Sequence, residues 1–173
     1  THFFNAMSQL HHRNPGAVGA VLIHPEMSCE IIADGVHVHP SLFKLLRADK
    51  SSDQIVLVTD ALTPTVQKGE HLFANGEEVE FVDGCFHRKE DGVIAGSALT
   101  LKKGVKNMVD FGFSVADAVK FATANPARIM HYSKKGILAP SYDGDVVVMD
   151  KKFSVKLVVL KNETIVKNKL EEK

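Results

Sequence analysis

The chain has 173 residues, 45% hydrophobic and 24% charged, a composition that suits one domain with a real core or a large piece of a longer protein. Lys+Arg and Asp+Glu are both 21, which argues against the clustered basic excess of a nucleic-acid or anionic-membrane binder. No apolar run approaches the length of a membrane span.

The chain opens Thr1-His2-Phe3-Phe4-Asn5. This reads as the end of a strand entering a loop, so the beginning of a parent domain is expected to lie before it. Ala17 to Ile23 is a short apolar helix after the Asn14-Pro15-Gly16 turn. Ser28 to Ala33 reads as a strand that stops at Asp34-Gly35. Pro40 to Ala48 places Leu42, Phe43, Leu45 and Leu46 at helical spacing. Gln54 to Thr59 is a continuous β-rich apolar run, as in a parallel sheet covered by helices, and ends at Asp60. Pro64 delays any helix after it.

Phe73 to Ile94 alternates apolar runs with Asn75-Gly76, Asp83-Gly84 and Asp91-Gly92, the signals of antiparallel hairpins. Leu99 to Phe111 returns to helical spacing. Ser114-Val115-Ala116-Asp117 fits a capping box, and Asn125-Pro126 starts a further short helix through Ile129. The tail reads as strands over Asp145 to Met149, Val155 to Leu160 and Glu163 to Val166, the last after a Lys161-Asn162 turn. The expected fold class is α/β: part of a (β/α)8 barrel over 1–134, with a hairpin excursion near 70–95, and a small β module over 135–173.

The chemistry-bearing residues fall at strand ends on this map. His2 ends one expected strand, Asp34 and His37 follow the next, and Asp60 closes the third. In βα barrels, strand ends far apart in sequence converge on one mouth. Bland readings stand beside this one. Asp34-Gly35 alone is a turn. His37 and His39 could be a metal pair, since alternate strand residues point the same way. Of the nine His, His24, His71, His87 and His131 read as surface or structural residues, and His11 and His12 as loop residues beside Arg13. Cys29 and Cys85 lack CxxC spacing and are expected to be reduced thiols in a cytoplasmic protein.

Five segments in order are Thr1-His2-Phe3-Phe4-Asn5-Ala6-Met7, Arg13-Asn14-Pro15-Gly16, Ile32-Ala33-Asp34-Gly35-Val36-His37, Leu57-Val58-Thr59-Asp60-Ala61 and Ile94-Ala95-Gly96-Ser97-Ala98-Leu99-Thr100. Together they closely resemble the N-acetylglucosamine-6-phosphate deacetylases of the amidohydrolase superfamily. The later Asn125-Pro126-Ala127-Arg128 and Asp145-Val146-Val147-Val148-Met149-Asp150 are similar to the ends of many amidohydrolases.

The resemblance implies a C-terminal portion of such an enzyme. It also implies a reaction, the metal-dependent hydrolysis of an N-acetyl amide to acetate and glucosamine 6-phosphate. It implies that His2 is a metal ligand, that Asp60 is the acid/base and that His37 polarises the amide carbonyl. Asn5, Ala6, Arg13, Asp34, Gly35, Val36 and His37 would contact substrate, with Arg13 on the sugar phosphate. Ile94, Ala95 and Gly96 would form a loop that closes on it. The family's remaining ligands, a Glu and a His, would lie upstream. One His cannot hold a catalytic metal, since such sites use about three protein ligands plus water. The chain alone is therefore expected to be inactive, and to be stable only with a missing half or in a self-paired form. The divalent ion would be Zn, Fe or Mn. The expected partner is a phosphorylated amino sugar, within a homodimer, with no nucleic acid and no membrane. The rival readings are another amidohydrolase, such as a cyclic amidase or deaminase, and a non-catalytic fragment serving as a binding module.

Overall fold

The computed structural model describes residues 1–62, 71–161 and 163–167. The expectations for Pro64 and Asn162 lie outside the described residues. The chain divides into two compact units, Thr1–Ala122 and Thr123–Lys173.

The first unit begins with α1 (Gly16–Ile23), then β1 (Cys29–Ile32), α2 (Phe43–Asp49) and β2 (Ile55–Val58). β1 and β2 pair in parallel, from Cys29↔Ile55 to Ile32↔Val58. A parallel pair needs a crossover, and α2 with its preceding 3-10 turn at Pro40–Leu42 supplies it. Cys29, Ile31, Ile32, Ile55, Val56 and Leu57 are all buried, so both faces of the pair are covered. That is why the strands read as continuous apolar runs rather than alternating ones. Phe43 and Leu46 of α2, Val105 and Met108 of α3 (Leu101–Asp110), and Ala118 and Phe121 of α4 (Val115–Ala122) fill the rest of this core. α3 rides directly on β2: a Cβ on Gly104 would sit 3.0 Å from Leu57 Cδ2.

Among the described residues, Lys50 is the one charged residue buried with this core, and its position has a local cause. Its Nζ donates to Val21 O at 2.9 Å and His24 O at 2.8 Å, carbonyls at the C-terminal end of α1 that have no helical partner.

Between β2 and α3 stands a four-stranded antiparallel meander of β3 (Leu72–Ala74), β4 (Glu77–Val82), β5 (Cys85–Arg88) and β6 (Ile94–Ser97), paired in that order. Asn75-Gly76 and Asp83-Gly84 make its tight turns with positive φ at both residues, 52° and 85°, then 51° and 88°. Primed hairpin turns require this backbone, and Asn, Asp and Gly adopt it most cheaply. Ala74, Val79 and Phe86 form a small core with Leu62, Leu72, Ala95 and Ala98 against it.

Two expectations are corrected. The opening segment is not a strand: His2, Phe4 and Ala6 take φ of 55°, 78° and 53°, which breaks any extended run. Phe3 N nevertheless donates to Glu30 O at 2.8 Å, holding the segment against β1. Ile94, Ala95 and Gly96 are not a loop but most of β6, paired with β5 from Cys85↔Ser97 to His87↔Ile94.

The second unit holds α5 (Ala124–Ile129) and a three-stranded antiparallel sheet of β7 (Val146–Met149), β8 (Val155–Leu160) and β9 (Glu163–Lys167). Lys135 bridges Asp143 and Asp145 at 2.8 Å each ahead of β7. Asp145 also accepts from Lys161 N at 3.0 Å, closing the β8 end against the β7 start. Among the described residues, no helix is long and apolar enough to cross a membrane.

Candidate active site

Asp60 is the hub. It follows β2 by two residues and takes φ 53°, a left-handed backbone that costs about 1 kcal/mol for a side-chain-bearing residue and clusters at functional sites. The base of the meander locks this backbone. Ser97 N donates to Asp60 O at 2.7 Å, Leu62 N donates to Ser97 O at 3.0 Å, and the fully buried Ser97 hydroxyl donates to Thr59 O. Gly96 is required for that approach, because a Cβ there would lie 2.6 Å from Leu62 Cγ and 2.9 Å from Asp60 O.

Two imidazoles bracket the Asp60 carboxylate. His2 Nε2 lies 3.3 Å from Oδ1, and His37 Nε2 lies 3.5 Å from Oδ2. The His2 side chain is 44% exposed, Asp60 24% and His37 only 4%, so the group grades from an open face to a sealed back wall. His2 Nδ1 is engaged by Thr1 Oγ1 at 2.8 Å, which turns Nε2 toward the carboxylate.

The back wall is Asp34. Its Oδ1 accepts from Val36 N and His37 N, both at 2.9 Å, forming a turn over Gly35, whose φ is 85°. Its Oδ2 takes His37 Nδ1 at 2.6 Å and the Cys85 thiol at 3.1 Å. A carboxylate can only accept, so His37 carries a proton on Nδ1, and its Nε2 faces the second carboxylate, Asp60. Burial would raise the Asp34 carboxyl, but the hydrogen bonds from His37, Val36 and Cys85 outweigh it and bring it down to about 2. The same contact acts the other way on the thiol: burial, then the Asp34 charge, push Cys85 up to about 12. Asn107 of α3 donates to Ala33 O at 2.7 Å and fixes the β1 exit from behind.

Asp34, His37 and Cys85 offer ligand atoms within 4.8 Å of one another, a spacing compatible with an ion. Their own bonds oppose that use. The carboxylate already receives four hydrogen bonds, and the thiol keeps its proton. His2 Nε2 beside the Asp60 carboxylate is the better-suited donor set, one imidazole and one carboxylate on the open face, chemistry common to Zn, Fe and Mn. It is a part of a site, since about three protein ligands are needed.

The structure thus brings His2, His37, Asp34 and Asp60 together. Asn5 stays local, its N donating to His2 O at 2.7 Å and its Nδ2 to Phe3 O at 3.4 Å. Arg13 is exposed in a turn closed by mutual backbone bonds between His11 and Asn14, and no described residue pairs with its guanidinium. Val36 is exposed beside Asp34, and Ala6 is exposed in the opening turns. His39 leaves the metal pair: its Nδ1 accepts from Ser41 N at 3.2 Å as a cap. His24 and His71 pair with Glu26 and Glu78, and His87 bonds Gly92 O. Sequence reasoning missed Cys85, Ser97 and Asn107, whose roles rest on partners 51, 38 and 74 residues away.

The model of the amidohydrolase family matches residues 1–169. The chain is 33% identical to an N-acetylglucosamine-6-phosphate deacetylase of Bacillus subtilis over 92% of its own length and 40% of that protein's. It is 35% identical to a putative N-acetylgalactosamine-6-phosphate deacetylase of Escherichia coli K12, over 94% of this chain and 97% of that one. A crystal structure of N-acetylglucosamine-6-phosphate deacetylase from Thermotoga maritima superposes with a TM-score of 0.90 at 30% identity, covering 96% of this chain and 46% of that one. The chain therefore spans less than half of two of these three relatives.

Proposed function

The chain belongs to the amidohydrolase family, and from that premise we propose that the protein it forms part of removes the acetyl group from N-acetylglucosamine 6-phosphate. The products are acetate and glucosamine 6-phosphate. The observation that carries the reading is the Asp60 carboxylate bracketed by His2 at 3.3 Å and His37 at 3.5 Å.

His2 would be among the ligands of a divalent ion, and that ion would supply a water acidic enough to attack at neutral pH. Asp60 takes the proton of that water. As the water oxygen bonds to the acyl carbon and the C–N bond breaks, Asp60 passes the proton to the departing amine, which cannot leave as an anion. His37 would polarise the carbonyl oxygen as charge gathers there, a role that needs a proton on Nε2 in addition to the one Asp34 holds on Nδ1. Arg13, an exposed planar fork, suits the sugar phosphate. Asn5, Ala6, Gly35 and Val36 would line the sugar, and Ile94, Ala95 and Gly96 would do so from a strand rather than a loop.

Residues 1–134 would belong to the later part of the catalytic barrel and 135–173 to the small β module. Further ligands would have to come from outside these residues, and without them the 173-residue chain would be inactive. The two free thiols fit the expected reducing, cytoplasmic setting, and a homodimer remains the expected assembly.

A second reading has its own support. The Escherichia coli relative that the chain spans almost completely carries the galactosamine name, and the two sugars differ only at one ring carbon. Acetate release by the metal-loaded parent from both N-acetyl sugar 6-phosphates decides between them. Asp60→Asn is expected to lower kcat by roughly 10²–10⁴-fold with the fold intact. A folded, metal-loaded parent that releases no acetate from either sugar overturns the deacetylase reading in favour of another amidohydrolase or a binding module.

A further inference from the structure

We infer that Asp34 and Cys85 are positioning residues, a buried carboxylate and thiol that hold a proton on Nδ1 of His37 and fix the aim of its ring rather than touching substrate. The kcat arm of the test below rests on the deacetylase reading; its spectroscopic arm does not.

The argument starts from the imidazole. His37 is nearly sealed, at 4% side-chain exposure, so the group reaching its Nδ1 decides which nitrogen faces the open side. That group is Asp34 Oδ2 at 2.6 Å. Asp34 is itself 7% exposed, and its other oxygen is held by two backbone N–H groups from its own turn. Rotation of the carboxylate is therefore blocked from one end by Val36 and His37. Cys85 blocks it from the other, with its thiol 3.1 Å from the oxygen that holds the ring and 3.7 Å from His37 Nδ1.

All four acceptor positions of the carboxylate are taken, which leaves none for a sugar hydroxyl. Cys85 is fully buried and keeps its proton, so it serves as a donor and not as a nucleophile or ligand. It also sits at the start of β5, paired with Ser97, whose N–H holds the Asp60 carbonyl. One register position of the meander thus sets both partners of the His37–Asp60 pair.

The test uses Cys85→Ala, Cys85→Ser and Asp34→Ala in the full parent protein. In wild type, the His37 Nδ1–H proton should appear far downfield in the NMR spectrum, with ring 15N shifts of the Nδ1-protonated form. Asp34→Ala is expected to erase that signal and lower kcat at least ten-fold with KM changed by less than about two-fold. Cys85→Ala should move the resonance upfield and cost several-fold in kcat, and Cys85→Ser, which keeps a donor, should restore most of both. If Cys85→Ala fails to fold, the serine variant alone decides: loss of the downfield resonance in a folded Cys85→Ser protein overturns the role of the donor. An unchanged resonance in Asp34→Ala, or a KM effect without a kcat effect, overturns the inference. Absence of wild-type turnover would count against the deacetylase reading alone, because the NMR arm does not depend on it.

Discussion

Asp34 holds four hydrogen bonds on two oxygens inside a wall only 7% open to solvent. Its native carboxyl lies near 2 against an ordinary 3.8, so the native state favours the ionised form more than the unfolded state does. That stability is complete above about pH 4 and is lost as pH falls through the native value. The gap amounts to about 2 kcal/mol. Denaturant melts should therefore separate wild type from Asp34→Asn by about that much at neutral pH and bring them together near pH 2. A constant separation across that range would count against the ionised, hydrogen-bonded carboxylate. This residue was legible in the sequence as a turn former, and its turn is there, but its bond to Cys85 was not. The two lie 51 residues apart, and a lone cysteine in a hairpin carries no local signal of what it faces. His2 shows the opposite case. Its place beside Asp60 was anticipated from strand ends, whereas the backbone that delivers it is a left-handed turn.

Elements were legible where one local rule dominates. The run Ile55–Val58 is apolar throughout because it is covered on both faces, and the meander turns follow from Asn-Gly and Asp-Gly. α4 is a case of a motif realised with a variation. Ser114 Oγ accepts from Asp117 N at 3.0 Å, as a cap should, but the Asp117 carboxylate takes the Ser114 hydroxyl at 2.6 Å. In the full box a longer Glu side chain reaches back to the backbone N–H of the cap instead. Ser114→Ala leaves an orphan N–H at the start of a helix whose Ala118 and Phe121 are buried in the core, and should cost about 1 kcal/mol by thermal melting. A change within about 0.5 kcal/mol of zero, on the scale of a neutral surface substitution, would mean that solvent caps this helix equally well. The resemblance implies a loop over Ile94, Ala95 and Gly96, where the structure has β6, whose last two residues are Gly96 and Ser97. Each is small for a reason visible only in three dimensions: Gly96 for its close approach to Leu62, Ser97 for its hydroxyl bond to Thr59 O.

On the scale of the whole molecule, the first unit rests on two parallel strands and their helices. Two strands with an open flank are marginal by themselves, and open edges invite pairing with other chains. The 173-residue chain alone is expected to gain stability by self-association, so its melting temperature should rise with protein concentration. A monomer by analytical ultracentrifugation, melting cooperatively at a concentration-independent temperature, would overturn this.

The meander is joined to the rest of the first unit at adjoining points, Ala61 and Ser97, which form a parallel bridge. It can therefore be regarded as a graft with a sutured root and free tips. At the far turns, Gly76 and Gly92 have open space where a Cβ would stand, although their φ values resist one. Homologous proteins should then differ in length and sequence at the hairpin tips, while the root, where Gly96, Ser97 and Cys85 meet Asp60 and Asp34, stays nearly invariant. Mutational drift would be graded along a single sheet, fast at one end and arrested at the other.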